Sequence, residues 1–347
     1  MKLPHVASIC LALAVAACSG AQNGATPMTL PNGNSGNGGS SGGVTRYSVP
    51  VQGQAGVRKA ATTALILVAN EGGGNGGTIS EFSESANGSV APTTVIANHN
   101  GGPVAIGFSS KEGIGFADGN INSAGQLGAE TFSLTGGFLT GIECFPKPTQ
   151  TNAVAFDSQG QLFVTGVVKG GRAIGVFKPA ANGCVKPNRT ISDQGGLAID
   201  SNNLLYVANS ATATVDIFPS GSGTMEAQIG GSSTGLVAPG TVAVDASFNV
   251  YIFDPKTDTI SEFAAEATGN VAPIRTISGS NTGLSDGQGL NFGLAVSKTS
   301  GDIFVSNPAS NAILVFAASA SGNVAPIQTI AGSATKLSVP LGVAVTE

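Results

Sequence analysis

Five polar residues recur at one position of a repeated segment and are candidates for a binding surface. Each directly follows a short apolar stretch: Asn70, Asp118, Asn209, Asp254 and Asn307, while the third of the six copies has Gly166 at this position. If these stretches are strands of one ring, the side chains line one face, suited to a polyhydroxylated or cationic ligand, or to Ca²⁺. Alternatively, each side chain caps its own turn. The turn interpretation is favoured, because a repeated residue more often serves the repeat than a single site.

Residues that do not repeat are better candidates for a specific site. His99 lies in a loop expected to reach the same face, and Glu71 beside three glycines is placed similarly. A lone loop histidine is more often solvated than catalytic. Motifs for a nucleophile elbow, a phosphate loop or a Cys/His metal cluster do not occur in the sequence. The sequence therefore assigns no catalytic residue, no metal site and no cofactor, and Ca²⁺ remains only an alternative for the polar ring.

The elements that must position these residues repeat six times. Each copy is marked by a phenylalanine, at Phe82, Phe132, Phe177, Phe218, Phe263 and Phe316, with spacings of 50, 45, 41, 45 and 53 residues. Such periods are typical of propeller blades. The flanking segments are short and rich in β-branched and aromatic residues, which favours strands. The sequence predicts an all-β fold, a six-bladed β-propeller of four-stranded antiparallel blades over residues 63–347.

The order of the strands predicts how the ring closes. The first copy begins with a second strand at residues 65–69, whereas residues 341–346 read as a first strand. The C-terminal strand is therefore expected to pair into blade one, with Val343 and Val345 on opposite sides of it. Pairing the two ends removes the open edges of a ring of sheets.

Turn residues recur with the blades. Four blades carry a glycine six residues after the phenylalanine, expected at positive φ in a hairpin, and a proline ten residues after it, expected to discourage edge pairing. These residues are Gly88, Gly183, Gly269 and Gly322, and Pro92, Pro187, Pro273 and Pro326. Asp157, Asp200 and Asp245, which end the predicted inner strands, are interpreted as turn formers.

The repeat resembles the NHL family of six-bladed propellers. The resemblance is carried by Leu236-Val-Ala-Pro-Gly-Thr-Val-Ala-Val-Asp245, Leu205-Tyr-Val-Ala-Asn209 and Ile313-Leu-Val-Phe316. It covers roughly residues 64–347 and is strongest from residue 150 onward. Members of this family include scaffolds, receptors and a few enzymes, so the resemblance implies a fold and not one function.

The N-terminus predicts export. Lys2 precedes an apolar run at residues 6–17 that is too short to span a bilayer. The run ends in Val15-Ala-Ala-Cys18, which resembles the bacterial lipobox, where the cysteine carries a lipid. The resemblance implies a signal peptide at residues 1–17 and a lipid on Cys18. The alternative is an ordinary cleaved signal in which Cys18 is incidental.

The residues after the lipobox predict where the protein is held. Ser19 stands where an aspartate would suggest retention at the inner membrane, so the resemblance implies the outer membrane, with a periplasmic or surface-exposed propeller. Residues 18–62 comprise the lipidated cysteine and a Gly/Ser/Asn-rich segment, predicted to be a flexible tether.

Two cysteines are left for a disulfide. Cys10 lies in the predicted signal and Cys18 is assigned to the lipid, so Cys144 and Cys184 remain. In an oxidising envelope they are candidates for a bond between the rims of blades two and three. Two separate thiols remain the alternative, because the bond requires Cα atoms within about 7 Å.

Charge and composition narrow the partners. The chain has 15 Lys and Arg against 20 Asp and Glu, a formal charge of −5, which offers no basic surface for nucleic acid. The sequence predicts a monomeric, non-enzymatic envelope lipoprotein whose propeller binds or scaffolds a protein or glycan partner. The alternatives are a Ca²⁺-dependent hydrolase or lyase resembling six-bladed lactonases, and a purely structural surface protein.

Overall fold

The computed structural model describes residues 64–72, 77–97, 102–118, 127–133, 138–145, 153–168, 171–219, 221–285 and 292–346. For some strand residues, including Asp118 and Cys144, only the backbone is described. The predicted signal peptide, Cys18, the tether and His99 lie outside the described residues.

The described residues form 24 strands in six four-stranded antiparallel sheets. In each blade the strands follow one another from the innermost outward. Blade one is β24 (Pro340–Val345), β1 (Leu65–Asn70), β2 (Thr78–Ser83) and β3 (Thr94–Ala97). Blade two is β4 (Pro103–Ser109), β5 (Gly113–Asp118), β6 (Leu127–Phe132) and β7 (Phe138–Phe145). Blade three is β8 (Val154–Phe156), β9 (Leu162–Val168), β10 (Gly171–Phe177) and β11 (Arg189–Ile191).

The other three blades follow the same order. Blade four is β12 (Gly196–Ile199), β13 (Leu204–Asn209), β14 (Thr214–Pro219) and β15 (Ala227–Gly230). Blade five is β16 (Thr241–Val244), β17 (Val250–Asp254), β18 (Thr259–Phe263) and β19 (Arg275–Ile277). Blade six is β20 (Leu294–Val296), β21 (Ile303–Asn307), β22 (Ala312–Phe316) and β23 (Gln328–Ile330). Short 3₁₀ turns occur at Pro308–Ser310 and Ser333–Thr335. The predicted six-bladed propeller is confirmed. None of the helical turns in the described ranges has the length and apolar character of a membrane span.

The hydrophobic core is divided among the junctions between neighbouring blades. Six clusters of buried side chains are described, and each joins the facing surfaces of two adjacent blades. The repeated phenylalanine always packs toward the preceding blade; Phe263 of blade five, for example, contacts the cluster built with Tyr206 and Ile229 of blade four. Because each sheet is covered on both faces, the second strands are buried continuously instead of alternating, as in Leu65–Asn70.

The C-terminal strand closes the ring, as predicted. β24 pairs antiparallel with β1, matching Val345 with Ile66 and Val343 with Val68. Val343 and Val345 lie on the same face, against blade six, while Ala344 faces blade two. The expectation that the two valines face opposite sides is wrong, because side chains two residues apart on a strand point the same way.

Inner strands approach one another so closely that some positions admit only glycine. A Cβ added to Gly293 of blade six would lie 2.2 Å from the backbone nitrogen of Val343 in blade one. A Cβ on Gly342 would lie 2.8 Å from the nitrogen of Ile106 in blade two. The C-terminal strand is therefore held between both neighbours as well as within its own sheet.

The hairpin between the third and fourth strands joins each of four blades to the blade before it. The four hairpin glycines have positive φ, confirming the prediction, and each forms a parallel bridge with the outermost strand of the preceding blade: Gly88 with Ile330, Gly183 with Ile142, Gly269 with Ile229 and Gly322 with Ile277. The four prolines each lie two residues before the outermost strand of their own blade.

The residue after the hairpin glycine adds a second link, here called the clasp. Asn270 Oδ1 accepts a hydrogen bond from the N–H of Ser233 at 2.6 Å, and Asn323 Oδ1 accepts one from the N–H of Asn281 at 2.7 Å. Ser89 Oγ accepts one from the N–H of Ala334 at 3.2 Å. The donors belong to the segment that leaves the preceding blade, so the clasp ties consecutive blades together.

Candidate functional site

The five repeated polar residues end the second strands of their blades. Asn70, Asp118, Asn209, Asp254 and Asn307 are the last residues of β1, β5, β13, β17 and β21. Since the blades share one topology, these positions lie at the same end of the ring, here called the polar end. The side chains of the four that are described each make hydrogen bonds within the fold.

Asp254 shows the arrangement most clearly. Its Oδ2 accepts hydrogen bonds from the N–H groups of Val237 and Ala238 at 2.7 and 2.9 Å, and its Oδ1 accepts one from Lys256 at 3.0 Å. The side chain is only 1% exposed. Val237 and Ala238 lie just before inner strand β16, so the carboxylate holds the entry of the chain into blade five as well as its own turn.

Asn70 and Asn307 act in the same way. The Asn70 amide donates to Ser80 Oγ at 3.0 Å and its Oδ1 accepts from the N–H of Ser338, which precedes β24. The Asn307 amide donates to the carbonyl of Gly283, in the segment that enters blade six. These bonds support the interpretation that the repeated polar residues serve the fold. They show in addition that each side chain holds the segment that enters its blade, and not only its own turn.

Blade four differs because its polar residue lies between two carboxyl groups. The Asn209 amide nitrogen is 2.9 Å from Asp193 Oδ1 and 3.1 Å from Asp216 Oδ2. The two aspartates are 8% and 5% exposed. Burial raises the pKa of Asp193 to about 7; hydrogen bonds from Gln194 and Asn209 oppose the increase, while Asp216 adds to it. A second buried carboxyl group nearby favours the protonated form of Asp193.

The three remaining sequence candidates are described only in part. Glu71 is partly buried, and its backbone N–H donates to the carbonyl of Val339 at 3.2 Å. Asp118 is placed by its backbone at the end of β5, and His99 lies outside the described residues. A ligand site at the polar end built from these residues stays a prediction.

The opposite end of the ring carries the predicted turn formers. Oδ1 of each aspartate accepts two backbone N–H bonds, from residues two and four positions further on, at 2.8 to 2.9 Å in Asp157, Asp200 and Asp245. The turn interpretation of these three residues is confirmed.

An ion pair that the sequence did not predict lies between blades five and six. Arg275 Nε donates to Glu262 Oε2 at 2.5 Å, and Nη1 donates to the carbonyl of Ala318 at 2.6 Å. Burial, with the negative charge of Glu262 next, raises the pKa of Tyr251 beside the pair. The only sequence signal was that Glu262 directly precedes the repeated phenylalanine and that Arg275 begins the outermost strand, which places the two residues opposite each other. The pair links neighbouring blades and is accounted for by the fold.

Two cavities that border described ionisable side chains are too small for a substrate. The space between blades two and three beside Glu112, Thr131 and Lys178 has a volume of about 10 Å³, enough for roughly one water. The space around Glu262 and Arg275 is smaller still. Within the described ranges, no three His, Cys, Asp or Glu side chains are grouped so as to hold a metal ion.

Comparison with known proteins places the chain by fold. No family model and no curated protein matches the sequence. Among solved structures, a protein of unknown function from Bacteroides caccae is similar with a TM-score of 0.58 and 11% identity, over 82% of this chain and 100% of that chain. A chain from a nidogen–laminin complex has a TM-score of 0.58 and 13% identity, over 82% and 98% of the two chains.

A third similar structure is a periplasmic gluconolactonase from Pseudomonas aeruginosa, with a TM-score of 0.54 and 14% identity, over 82% of this chain and 99% of that chain. Identities this low establish shared architecture alone. The described part of the chain is a six-bladed β-propeller.

Proposed function

We propose that the protein is an exported lipoprotein whose NHL-like propeller serves as a binding or scaffold module for a protein or glycan partner. The observation that carries the proposal is the use of the polar-end side chains. The carboxylate of Asp254 accepts three backbone N–H bonds, and Asn70 and Asn307 are bonded to incoming segments. Because these side chains are bonded to the protein's own backbone, they hold the blades in a rigid frame. We therefore assign recognition of a partner to the loops that this frame supports.

The principal alternative is a Ca²⁺-dependent hydrolase or lyase. Calcium binds six to eight oxygen atoms, and carboxylates supply the strongest of these. Asp254 would have to give up bonds to Val237 and Ala238 before its oxygens could reach a central ion. The polar end therefore favours the scaffold, and the gluconolactonase shares a fold that hosts many activities. A purely structural surface protein differs from the scaffold only in lacking a partner.

Melting temperatures separate the three functions. We expect a soluble glycan or envelope fragment to raise the melting temperature of the full-length protein, because binding stabilises the folded state by mass action. Ca²⁺, Mg²⁺ and a lactone panel are tested alongside. The variant Asp254→Asn is expected to melt lower by an amount that Ca²⁺ does not change, since it loses charge-assisted bonds worth about 1.5–3 kcal/mol.

Two results would contradict the scaffold. A Ca²⁺-dependent increase in melting temperature that Asp254→Asn abolishes, together with lactone turnover, would establish the enzyme. A flat response to every ligand, with no envelope protein cross-linked to the propeller in cells, would leave the structural role. The matched control is Asp245→Asn, which alters a turn carboxylate at the opposite end of the ring.

The anchor is tested separately. Mass analysis of the membrane fraction is expected to find a diacylated or triacylated N-terminus at Cys18. The variant Cys18→Ala should lose stable membrane attachment, since two or more acyl chains are needed for it. Cys10→Ala is the matched control and should stay attached. Recovery of unmodified wild-type protein that starts at another residue would refute the lipid on Cys18.

A further inference from the structure

Blade four carries a carboxyl group at a position where most blades have none. Two residues before the repeated phenylalanine stand Ser80, Gly175, Ser261 and Leu314, but Asp216 in blade four and Glu130 in blade two. In blade one, the polar-end residue Asn70 donates to Ser80 Oγ. In blade four, Asn209 donates to Asp216 from the equivalent place. The contact between the polar-end residue and the third strand is therefore the same in both blades, but in blade four its acceptor is a titratable carboxyl group.

The second carboxyl comes from the chain that enters the blade. Asp193 lies between β11 of blade three and β12 of blade four, and its Oδ1 accepts the N–H of Gln194 at 2.7 Å. Asp216 Oδ1 accepts from Thr214 at 2.9 Å and from Gln228 at 2.7 Å. Asp216 is thus fixed within its sheet, while Asp193 belongs to the connecting segment that has to be held against it.

Few of the described side chains at this end of the neighbouring blades are charged. The charged side chains described at the polar end of blade five are Asp254, Lys256 and Asp258, and Asp254 is occupied by Val237 and Ala238. Among the side chains described for blade three, none at this end is charged, and the side chains of Lys169 and Arg172 lie outside the description. Among the described groups of this junction, Asp193 is the one with a raised pKa.

We propose that Asp193 and Asp216 form a pH-sensitive latch, which holds residues 192–195 against blade four while Asp193 is protonated and loosens when Asp193 is ionised. The inference is independent of the partner or lipid assigned above. It rests on two buried carboxyl groups and on the amide of Asn209, which lies within hydrogen-bond distance of both.

The direction of the pH effect follows from which state binds the proton. An aspartate in the unfolded chain loses its proton near pH 3.9, whereas Asp193 in the folded ring retains it to about pH 7. Between these values the folded state binds more protons. The latch contributes fully below about pH 4, and its contribution falls as the pH rises toward 7, by up to about tenfold in the folded-to-unfolded ratio per pH unit.

The latch lies at the junction between blades three and four, where the described residues form no hairpin-glycine bridge. Gly183, Gly269, Gly322 and Gly88 bridge four other junctions. Of the bonds described between blade three and the start of blade four, one joins Thr165 Oγ1 to the carbonyl of Gly195 at 2.9 Å. Loosening of Asp193 therefore acts on a segment with a single described side-chain bond to the preceding blade, and local opening is expected there first.

The test compares Asp193→Asn with wild type by denaturant unfolding from pH 5 to pH 7. Asparagine keeps the shape of the protonated acid and donates to Asp216 at every pH. We expect Asp193→Asn to become more stable relative to wild type as the pH rises. The difference in the folded-to-unfolded ratio should reach up to about 100-fold across these two pH units. The second variant, Asp216→Ser, restores the blade-one arrangement and should reduce the pH dependence by the contribution of Asp216, while the part that burial of Asp193 causes remains. Asp245→Asn is the control and should keep the wild-type slope.

Hydrogen exchange locates the effect. At pH 8, amides of residues 190–199 should exchange faster in wild type than in Asp193→Asn, and at pH 5 the two proteins should match; comparing proteins at one pH cancels the intrinsic rate. Equal slopes for wild type and both latch variants would overturn the latch. So would a pH-dependent difference in exchange that lies elsewhere in the ring.

Discussion

Deletion of residues 341–347 is expected to leave a propeller that aggregates or melts far below the full-length protein. β24 pairs with β1 along five residues, and Thr346 exchanges two hydrogen bonds with Leu65. Leu341 and Val343 are 1% and 4% exposed. Burial of each such side chain contributes about 1.5–3 kcal/mol, so the deletion removes several kcal/mol from a total of about 5–15.

The deletion also removes contacts that stabilise the two blades next to blade one. Ser306 Oγ of blade six donates to the carbonyl of Leu341 at 2.6 Å, and Gly342 lies against the backbone of Ile106 in blade two. Removal of the strand therefore exposes an inner edge and uncovers apolar faces on both neighbouring blades. Size-exclusion chromatography and thermal melting measure the two consequences.

A pair of point variants controls for the deletion. Val343→Asp places an unpaired charge on the buried face and should reproduce much of the loss, whereas Val95→Asp makes the same change in the same blade at a side chain that is 42% exposed. Val95→Asp should melt like wild type. A truncated protein that kept the full-length melting temperature and eluted as a monomer would rule out closure by this strand.

The fold was predictable because each blade repeats the same local solutions. Every repeated phenylalanine packs toward the preceding blade, and every hairpin glycine after it has positive φ. Six imperfect copies average out the ambiguity of any one of them. The opposite-face expectation for Val343 and Val345 failed against the two-residue period of a strand, a rule that the sequence itself supplies.

The polar end was predictable in position but not in partners. That Asn70, Asp254 and Asn307 share one place follows from the repeat, yet their partners, Ser338, Val237 and Gly283, come from segments that enter from the preceding blade. Contacts of this kind depend on how consecutive blades meet, which no single copy encodes.

The latch was missed for a different reason. Asp193 and Asp216 are 23 residues apart in the sequence, and only the return of the chain into blade four brings them together. The available signal was Asp216 itself, a charge at a position where four other blades have serine, glycine or leucine and only blade two, with Glu130, is also charged. A departure from the repeat was the better guide to a titratable site than the repeated residues were.

The disulfide is expected to be the covalent form of the clasp. Cys184 is disulfide-bonded in the structure, and it stands where Ser89, Asn270 and Asn323 accept hydrogen bonds from the preceding blade. Gly183, directly before it, bridges Ile142 in β7, the strand that also contains Cys144. The neighbouring strand thus brings the Cys144 backbone to the same rim, and we predict Cys144 as the partner.

Replacement of the disulfide by a hydrogen-bonded clasp measures how much the disulfide contributes to the free energy of unfolding. Cys184→Asn installs the residue of blades five and six, and it should destabilise the protein by about 4 kcal/mol, the chain-entropy value for a loop of about 40 residues. Asn323→Ala is the matched control, because it removes a clasp that is only hydrogen-bonded, and it should cost about 1 kcal/mol. Denaturant unfolding under non-reducing conditions gives both values. Peptide mapping that finds Cys144 alkylatable in oxidised protein would exclude the pairing. Equal costs for the two variants would mean that the bond, even if formed, adds nothing to the hydrogen-bonded clasp it replaces.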